Sequence, residues 1–123
     1  GHTKNHLAYY VNSDRILSGD ALTIRGCGRT DQQGGNPATL YDSVIHQIFS
    51  LPEDTLVFPA HSLQGFTCST VGEEIKFNPR FKNTKHAFIQ LMNKLELPIP
   101  NKMKSTITAN LSCGKLPQEN IAV

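Results

Sequence analysis

Residues 17–31 read Leu-Ser-Gly-Asp-Ala-Leu-Thr-Ile-Arg-Gly-Cys-Gly-Arg-Thr-Asp and pass from a short apolar run into a polar, glycine-rich stretch. From Gly19 to Gly35 the chain carries five glycines and few apolar side chains, which predicts a loop of unusual length. Long loops inside compact domains are often functional. This loop and the elements on either side of it are therefore the first place to expect chemistry.

Three short apolar runs predict β-strands. Leu7–Val11 and Arg15–Ser18 flank the turn formers Asn12-Ser13-Asp14, a pattern typical of a β-hairpin. Thr55–Pro59 reads as a buried strand, and His61 follows it closely. In α/β folds, binding and catalytic residues commonly lie just beyond the C-terminal ends of the strands, and His61 has such a position.

Capping residues predict three helices. Asn36-Pro37 starts a helix over residues 37–49, and Thr84 starts another. Between them, Thr70 and Glu73 form a capping box for a short helix that Asn78-Pro79 ends. The last helix has an apolar face made of Phe88, Leu91, Met92 and Leu95. Beyond Pro100 the patterning is weak, and we expect irregular structure or a short strand up to Val123.

Strands and helices in this order indicate an α/β fold, but three strands make a poor sheet for a whole domain. The composition suits half of a larger sheet. The 123 residues open at Gly1-His2-Thr3 without an initiator Met, which we interpret as a processed, cut or partial chain.

Charge and cysteine content exclude several classes of protein. A formal net charge of +2 and scattered Lys and Arg side chains provide no basic stripe for nucleic acid or an anionic membrane. Cys27, Cys68 and Cys113 lie far apart, which argues against a disulfide scaffold and a thiolate zinc site. No stretch approaches the length of a membrane-spanning helix. We therefore expect a soluble protein of a reducing, intracellular compartment.

Three potential metal ligands stand at junctions between strands and loops: His2, Asp20 and His61. Each has glycine or alanine beside it, which leaves room for an ion. Two histidines and one carboxylate suit non-haem Fe(II), or Zn(II) in a tetrahedral site. Spacing alone leaves open the alternative that three polar residues lie in loops by chance.

Longer motifs carry a family resemblance. In chain order they are Gly1-His2-Thr3, the run at 17–31, Leu40-Tyr41-Asp42-Ser43-Val44, Pro59-Ala60-His61, Ser69-Thr70-Val71-Gly72-Glu73-Glu74 and Asn78-Pro79-Arg80. Their order and spacing closely resemble those of the glutathione persulfide dioxygenases, or ETHE-type sulfur dioxygenases, a branch of the metallo-β-lactamase superfamily. The resemblance covers nearly all of residues 1–123. It implies an α/β fold, namely the C-terminal half of a metallo-β-lactamase αββα sandwich.

The resemblance implies a single Fe(II) held by two histidines and one aspartate. By position, His2 is the second histidine ligand and Asp20 is the carboxylate. The first ligand comes from a His-x-His-x-Asp-His motif that this sequence lacks, so the resemblance implies a missing N-terminal half of the same domain. His61 then lies near the iron as a catalytic residue without binding it. The reaction implied for the complete protein oxidises glutathione persulfide with O2 to sulfite and glutathione, and we expect the isolated chain to be inactive.

Four further residues of the loop are candidates for the site. Arg29 is the main candidate for a contact to a glutathione carboxylate, because its guanidinium can bind a carboxylate in a bidentate way, and Arg25 is a weaker one. The alternative is that each arginine pins the loop to a carboxylate such as Asp31. Asp31 is expected to orient a ligand from behind. Cys27 lies close to Asp20 in sequence, but packing between its two glycine neighbours is the more economical interpretation of it.

Two departures from the family pattern keep other functions open. Asn5-His6 replaces a small Gly-Cys or Gly-Ser pair, and His6 is similar to a histidine of the hydroxyacylglutathione hydrolases (glyoxalase II). Ser62 stands where Asp is common after Pro-Ala-His. The alternatives are therefore a thioester hydrolase with a dinuclear metal site and a non-catalytic half-domain that binds glutathione or a partner.

The expected partners are glutathione persulfide, O2 and the missing half of the domain, with no nucleic acid and no membrane. A homodimer and a fused rhodanese domain are left open. The resemblance implies the cytoplasm in a bacterium and the mitochondrial matrix in a eukaryote.

Overall fold

The computed structural model describes residues 1–62 and 64–115. Its strands are β1 (Tyr9–Val11), β2 (Arg15–Gly19), β3 (Leu56–Pro59) and β4 (Ser69–Thr70). Its helices are α1 (Pro37–Ser43), α2 (Val71–Phe77), α3 (Lys85–Asn93) and α4 (Met103–Leu111). A π-helical segment, Val44–Ile48, directly continues α1.

The four strands form one sheet in the order β1-β2-β3-β4. The predicted hairpin is present, because β1 and β2 pair antiparallel. A connection that contains the long loop and α1 then brings β3 beside β2 in parallel. The sequence did not predict β4, which pairs antiparallel with β3 and has only two residues, too few to show an alternating pattern.

The first predicted helix has the expected start and a different second half. The side chain of Asn36 accepts a hydrogen bond from the Thr39 N–H, and Pro37 occupies the first turn. From Val44 onward the helix widens, and the Phe49 N–H donates to the Val44 carbonyl at 2.8 Å. The predicted helix over residues 37–49 is therefore present, but its second half is π-helical, which apolar spacing does not distinguish from an α-helix.

Both other predicted caps are confirmed. The Thr70 hydroxyl accepts from the Glu73 N–H and the Thr84 hydroxyl accepts from the Ala87 N–H. The capping box is only half formed, since the Glu73 carboxylate accepts from the Ser69 hydroxyl at 2.8 Å. In α3 the apolar face is narrower than predicted, because Leu91 is exposed.

The segment beyond Pro100 corrects another expectation. We expected irregular structure or a short strand, whereas residues 103–111 form α4. The helix buries only Ala109, so its sequence carries no apolar stripe from which a helix could be read. The end of that expectation, residues 116–123, lies outside the described residues.

The core lies on one face of the sheet. Ile16 and Val57 point into it from neighbouring strands and pack with Leu40, Val44 and Phe88 from the helices. Phe88 also stacks on Phe81, with ring centroids 5.1 Å apart. The helical layer therefore covers the centre of this face, while Tyr10 in β1, on the same face, is 43% exposed.

The opposite face of the sheet is apolar and open. Tyr9, Leu17 and Phe58 are cross-strand partners, so their side chains share that face. Tyr9 is 59% exposed and Leu17 is 46% exposed. Within residues 1–62 and 64–115, no helix has the length and apolar character needed to cross a membrane.

Candidate metal centre

The parallel pairing of β2 and β3 brings two predicted site residues together. Asp20 directly follows β2 and His61 comes two residues after β3, so both lie at the C-terminal edge of the sheet. A hydrogen bond from the Ala60 N–H to the Gly19 carbonyl, 3.0 Å long, ties the two strand ends. His61 Nδ1 lies 2.7 Å from Asp20 Oδ1.

His2 reaches the same carboxylate from the other side. Its Nε2 lies 3.6 Å from Asp20 Oδ2. His2 and Asp20 side chains are about one-fifth exposed, at 20% and 22%, whereas His61 is 73% exposed. The structure thus brings together all three predicted ligand candidates, with Asp20 at the centre.

A backbone carbonyl fixes the orientation of the His2 ring. His2 Nδ1 lies 2.7 Å from the Arg29 carbonyl oxygen, which can only accept a hydrogen bond. Nδ1 therefore carries the proton, and the neutral ring presents the lone pair of Nε2 toward Asp20. This is the arrangement by which proteins orient a metal-binding histidine.

The residues present fit part of a metal site. Metal bonds of about 2.0–2.2 Å to nitrogen and oxygen allow two ligands 3.6 Å apart to bind one ion. Asp20 Oδ1 is occupied by His61, which leaves Oδ2 free on the side of His2. Among residues 1–62 and 64–115, no group of three His, Cys, Asp or Glu side chains is arranged to hold an ion. This part of the chain thus offers two ligands, His2 and Asp20.

His6 belongs to the site, although sequence reasoning gave it no role there. Its Nε2 accepts a hydrogen bond from the Asp20 backbone N–H at 3.2 Å, and its ring meets the His2 ring edge-on with centroids 5.4 Å apart. Burial, followed by the electrostatic interaction with the neighbouring His2, lowers the pKa of His6 and favours the neutral ring that can accept this bond. The sequence signal for this role was that Asn5-His6 departs from the family pattern.

Glycines give the loop its close approach to the ligands. The Gly28 N–H donates to the Asp20 carbonyl at 2.7 Å. A Cβ on Gly28 would lie 2.8 Å from both His2 Nδ1 and Asp20 Cβ, and Gly19, at φ +57°, faces the His6 ring in the same way. A larger side chain at Gly28 would push His2 and Asp20 apart, and one at Gly19 would displace the His6 ring.

The Arg29 side chain binds other groups of the protein and holds the loop in place. Its guanidinium binds Asp31 through two bonds of 2.7 Å and also donates to the carbonyls of Leu97 and Pro98. This hydrogen bonding lowers the pKa of Asp31 to about 2. The loop-pinning alternative thus describes the observed state of Arg29 better than a free substrate contact does. Asp31 has both oxygens on Arg29, and the group that orients His2 is the Arg29 carbonyl.

Arg25 and Cys27 also point away from the ligands. The Arg25 guanidinium binds the carboxylates of Glu74 and Glu73, so it is not presented to a substrate. The Cys27 sulfur lies 3.8 Å from the Met92 sulfur, and burial raises the pKa of this thiol to about 12. Cys27 is therefore a packing residue in this structure.

A small cavity opens beside His61. It measures about 90 Å³ and is lined by Thr23, Ile24, His61, Ser62 and Gln64. Ser62 thus reaches the cavity wall at the position where the family commonly has Asp. The cavity places open space next to the Asp20–His61 pair.

The contacts of Gly28 predict a loss of metal binding on substitution. Gly28→Ala should weaken Fe(II) binding roughly tenfold or more, because the new methyl group displaces His2 or Asp20. Gly72→Ala, in α2, is the control, since its Cβ meets only atoms of Glu53 and neither ligand. The measurement is an anaerobic Fe(II) titration of the complete protein. Unchanged affinity in Gly28→Ala would contradict this geometry.

The burial of Cys27 predicts selective alkylation. With its pKa near 12, Cys27 has almost no thiolate at pH 8, so iodoacetamide should modify only the exposed Cys68 and Cys113 in the folded protein. Mass spectrometry of the peptides should find the third adduct only after unfolding in urea. Rapid labelling of Cys27 in the folded state would refute its buried position.

In sequence comparisons, the chain is similar to persulfide dioxygenases and, at lower identity, to hydroxyacylglutathione hydrolases. The chain is 46% identical to the human mitochondrial persulfide dioxygenase ETHE1 over 93% of its own length and 45% of that protein. A hydroxyacylglutathione hydrolase from Prochlorococcus marinus is 32% identical over 90% of the chain and 45% of its own length. The chain thus spans about half the length of these curated relatives. No protein-family model matches it.

Solved structures show the same relationship in three dimensions. The crystal structure of ETHE1 from Myxococcus xanthus superposes with a TM-score of 0.90 and 42% identity, covering 94% of this chain and 51% of that one. A structure of TTHA1623 in a di-iron-bound form follows with a TM-score of 0.56 and 34% identity, over 64% of this chain and 38% of that one. With this identity and this fold, the chain is a homologue of the persulfide dioxygenases within the metallo-β-lactamase superfamily.

Proposed function

We propose that this chain is part of an iron-dependent persulfide dioxygenase that oxidises glutathione persulfide with O2 to sulfite and glutathione. The observation that carries the proposal is the paired presentation of His2 Nε2 and Asp20 Oδ2, 3.6 Å apart, at the edge of the sheet. An imidazole and a carboxylate form two of the three positions of the facial triad used by non-haem iron oxygenases. The 46% identity to a named persulfide dioxygenase supports this choice of reaction and substrate class.

The third ligand, in this proposal, comes from an N-terminal part of the same domain. Two observations support the need for such a part. The described residues offer two ligands on one oriented carboxylate, and the outer face of the sheet leaves Tyr9 and Leu17 largely exposed. A second sheet packed on that face would complete an αββα sandwich and bury those side chains.

A bound Fe(II) would supply open coordination positions at which a persulfide sulfur and O2 can both bind. The residues of this chain prepare that position. Asp20 is held by the His6 ring at its N–H and by His61 at Oδ1, so its free oxygen stays directed toward His2. Such fixed ligand orientation is what gives a site its geometry before substrate arrives.

We infer that His61 accepts a proton from the substrate. Its Nδ1 donates to the Asp20 carboxylate, which leaves Nε2 of the neutral ring with a free lone pair. The ring also lines the small cavity, so an S–H group of the substrate could pass its proton to Nε2. We assign His61 this role as a general base, and it rests on the same hydrogen bond that fixes the carboxylate.

A second candidate is a thioester hydrolase of the hydroxyacylglutathione type. The contact of His6 with Asp20 favours it, because His6 is the residue that is similar to that family. The lower identity of 32% and the loop at 17–31 place it behind the dioxygenase. For the compartment, we propose the mitochondrial matrix in a eukaryote and the cytoplasm in a bacterium.

Two assays on the complete protein separate these functions. We expect O2 consumption with glutathione persulfide, one iron per site by metal analysis, and no hydrolysis of lactoylglutathione. Hydrolysis without O2 consumption would establish the thioester hydrolase. Activity in neither assay would leave a non-catalytic half-domain that binds glutathione or a partner.

Substitutions of Asp20 and His61 should have different effects on iron content and activity. Asp20→Ala should remove iron and activity together, because it deletes a ligand. His61→Ala should keep the iron and lose about 10²–10⁴-fold in kcat, the range for loss of a general base. Asp54→Ala, in an exposed turn between the π-helical segment and β3, is the control and should change neither iron content nor activity. Loss of iron from the His61 variant would show that His61 is itself a ligand.

A further inference from the structure

One carboxylate of this chain is completely buried. Glu74 lies in α2 with no exposed surface, yet every bond it makes reaches toward the loop at residues 23–26 or its own helix. Its Oε2 accepts from the Arg25 backbone N–H at 2.9 Å, and its Oε1 accepts from the Arg25 guanidinium. A buried charge is tolerated only when it is paired and hydrogen-bonded in this way.

Asn78 extends the same contact by one helical turn. Its Nδ2 donates to Glu74 Oε2 at 2.8 Å and to the Gly26 carbonyl at 3.0 Å. Glu74 and Asn78 are four residues apart, so they face the loop side by side. We call these two side chains and Arg25 the α2 clamp.

The clamp holds a tight and strained turn. Thr23 and Gly26 exchange two backbone hydrogen bonds of 3.1 and 3.0 Å, and Arg25 between them has φ +56°. A non-glycine residue in the left-handed region needs its surroundings to keep it there. In this conformation the Arg25 N–H donates to Glu74 Oε2, so the clamp binds the residue that has the left-handed backbone.

The turn forms one wall of the cavity beside His61, through Thr23 and Ile24. Asp20, by contrast, is held independently of the clamp. The His6 ring binds its N–H, and the Gly28 N–H binds its carbonyl. The wall and the metal ligand therefore depend on separate sets of bonds.

We propose that Glu74 is a positioning residue, which fixes the turn at residues 23–26 as the wall against which the sulfur end of the glutathione persulfide binds. This proposal rests on the proposed function. It predicts that loss of Glu74 weakens substrate binding while the metal stays in place. It also explains why the Ser-Thr-Val-Gly-Glu-Glu and Asn-Pro-Arg runs belong with the loop motif, because Glu74 and Asn78 carry the loop's contacts.

The test is Glu74→Gln in the complete protein, with Glu73→Gln as the control. Glutamine places an NH2 group against the donors of Arg25 or Asn78, so at least one bond is lost. Glu73 is the adjacent residue, undergoes the same change of charge, and is half-exposed at 3.7 Å from Arg25. We expect Glu74→Gln to raise KM for glutathione persulfide roughly tenfold, with kcat and iron content near wild type. Glu73→Gln should stay near wild type in all three.

Hydrogen exchange gives a readout that does not depend on turnover. The amides of Thr23, Arg25 and Gly26 should exchange faster in Glu74→Gln, while the Gly28 amide, which reports on Asp20, should not change. A folded Glu74→Gln variant with wild-type KM, or with unchanged exchange in the turn, would overturn the proposal. Loss of iron in parallel with activity would overturn it too, since the clamp would then hold the ligand.

Two further measurements keep the result decisive. If Glu74→Gln does not fold, Arg25→Lys, which keeps the charge and the backbone N–H but loses the planar fork, takes its place with the same readouts. If the wild-type protein oxidises no persulfide, the proposed function fails on its own. Calorimetric affinity for glutathione then replaces KM, and equal affinity in wild type and variant would refute the clamp's role.

Discussion

Parallel pairing between β2 and β3 is the constraint on which the site depends. The carboxyl ends of two parallel strands meet at one sheet edge, so Asp20 and His61, forty-one positions apart along the chain, come within 2.7 Å. An antiparallel partner would have placed the end of β3 at the opposite edge. The register shift after Leu17 lets Gly19 pair with Pro59 and turns the chain toward the site at this point. His2 is then added from outside the sheet and reaches the carboxylate that the pairing has fixed.

The long loop is held without regular secondary structure. Arg29 joins it to Asp31 and to the carbonyls near Pro98, and the α2 clamp joins it to the helix at Glu74. These two arginines act in different surroundings. The Arg29 pair lies near the surface, where the competing water makes each ion pair a small contribution to stability. Glu74 is fully buried, so removing its partner would leave an unpaired charge in the interior.

Sequence patterns predicted the parts of this fold that local chemistry controls. Asn36, Thr70 and Thr84 cap helices as expected, because a side-chain acceptor at a helix start needs only its own neighbours. The two-residue strand β4 and the helix α4 were missed, since the first is too short and the second too polar to show a periodic pattern. The π-helical segment escaped for a related reason, as its apolar spacing is that of an α-helix.

The site was predictable to the extent that a motif fixes a residue's neighbours. His2, Asp20 and His61 converge as their motifs imply. The roles of Arg25 and Arg29 were harder to predict, because a guanidinium binds a carboxylate of the protein as readily as one of a substrate. Only the folded chain shows which carboxylates of the protein lie near each arginine. Arg25 pairs with Glu74, which lies forty-nine positions further along the chain, and no local sequence pattern predicts such a pair. His6 was likewise visible only as a departure until its ring was found at the Asp20 N–H.

Under the proposed function, charge balance would explain how a chain with a net charge of only +2 can serve an anionic substrate. His2 is neutral in its metal-binding tautomer, and Asp20 contributes a single carboxylate. A divalent ion held by these groups, as proposed, would keep a net positive charge in a partly buried site, where electrostatic attraction is stronger than in water. In the proposed function, an anionic persulfide would therefore be attracted to the metal centre itself. Arg25 and Arg29 are then not needed to attract the substrate, and in the structure both hold the loop in place.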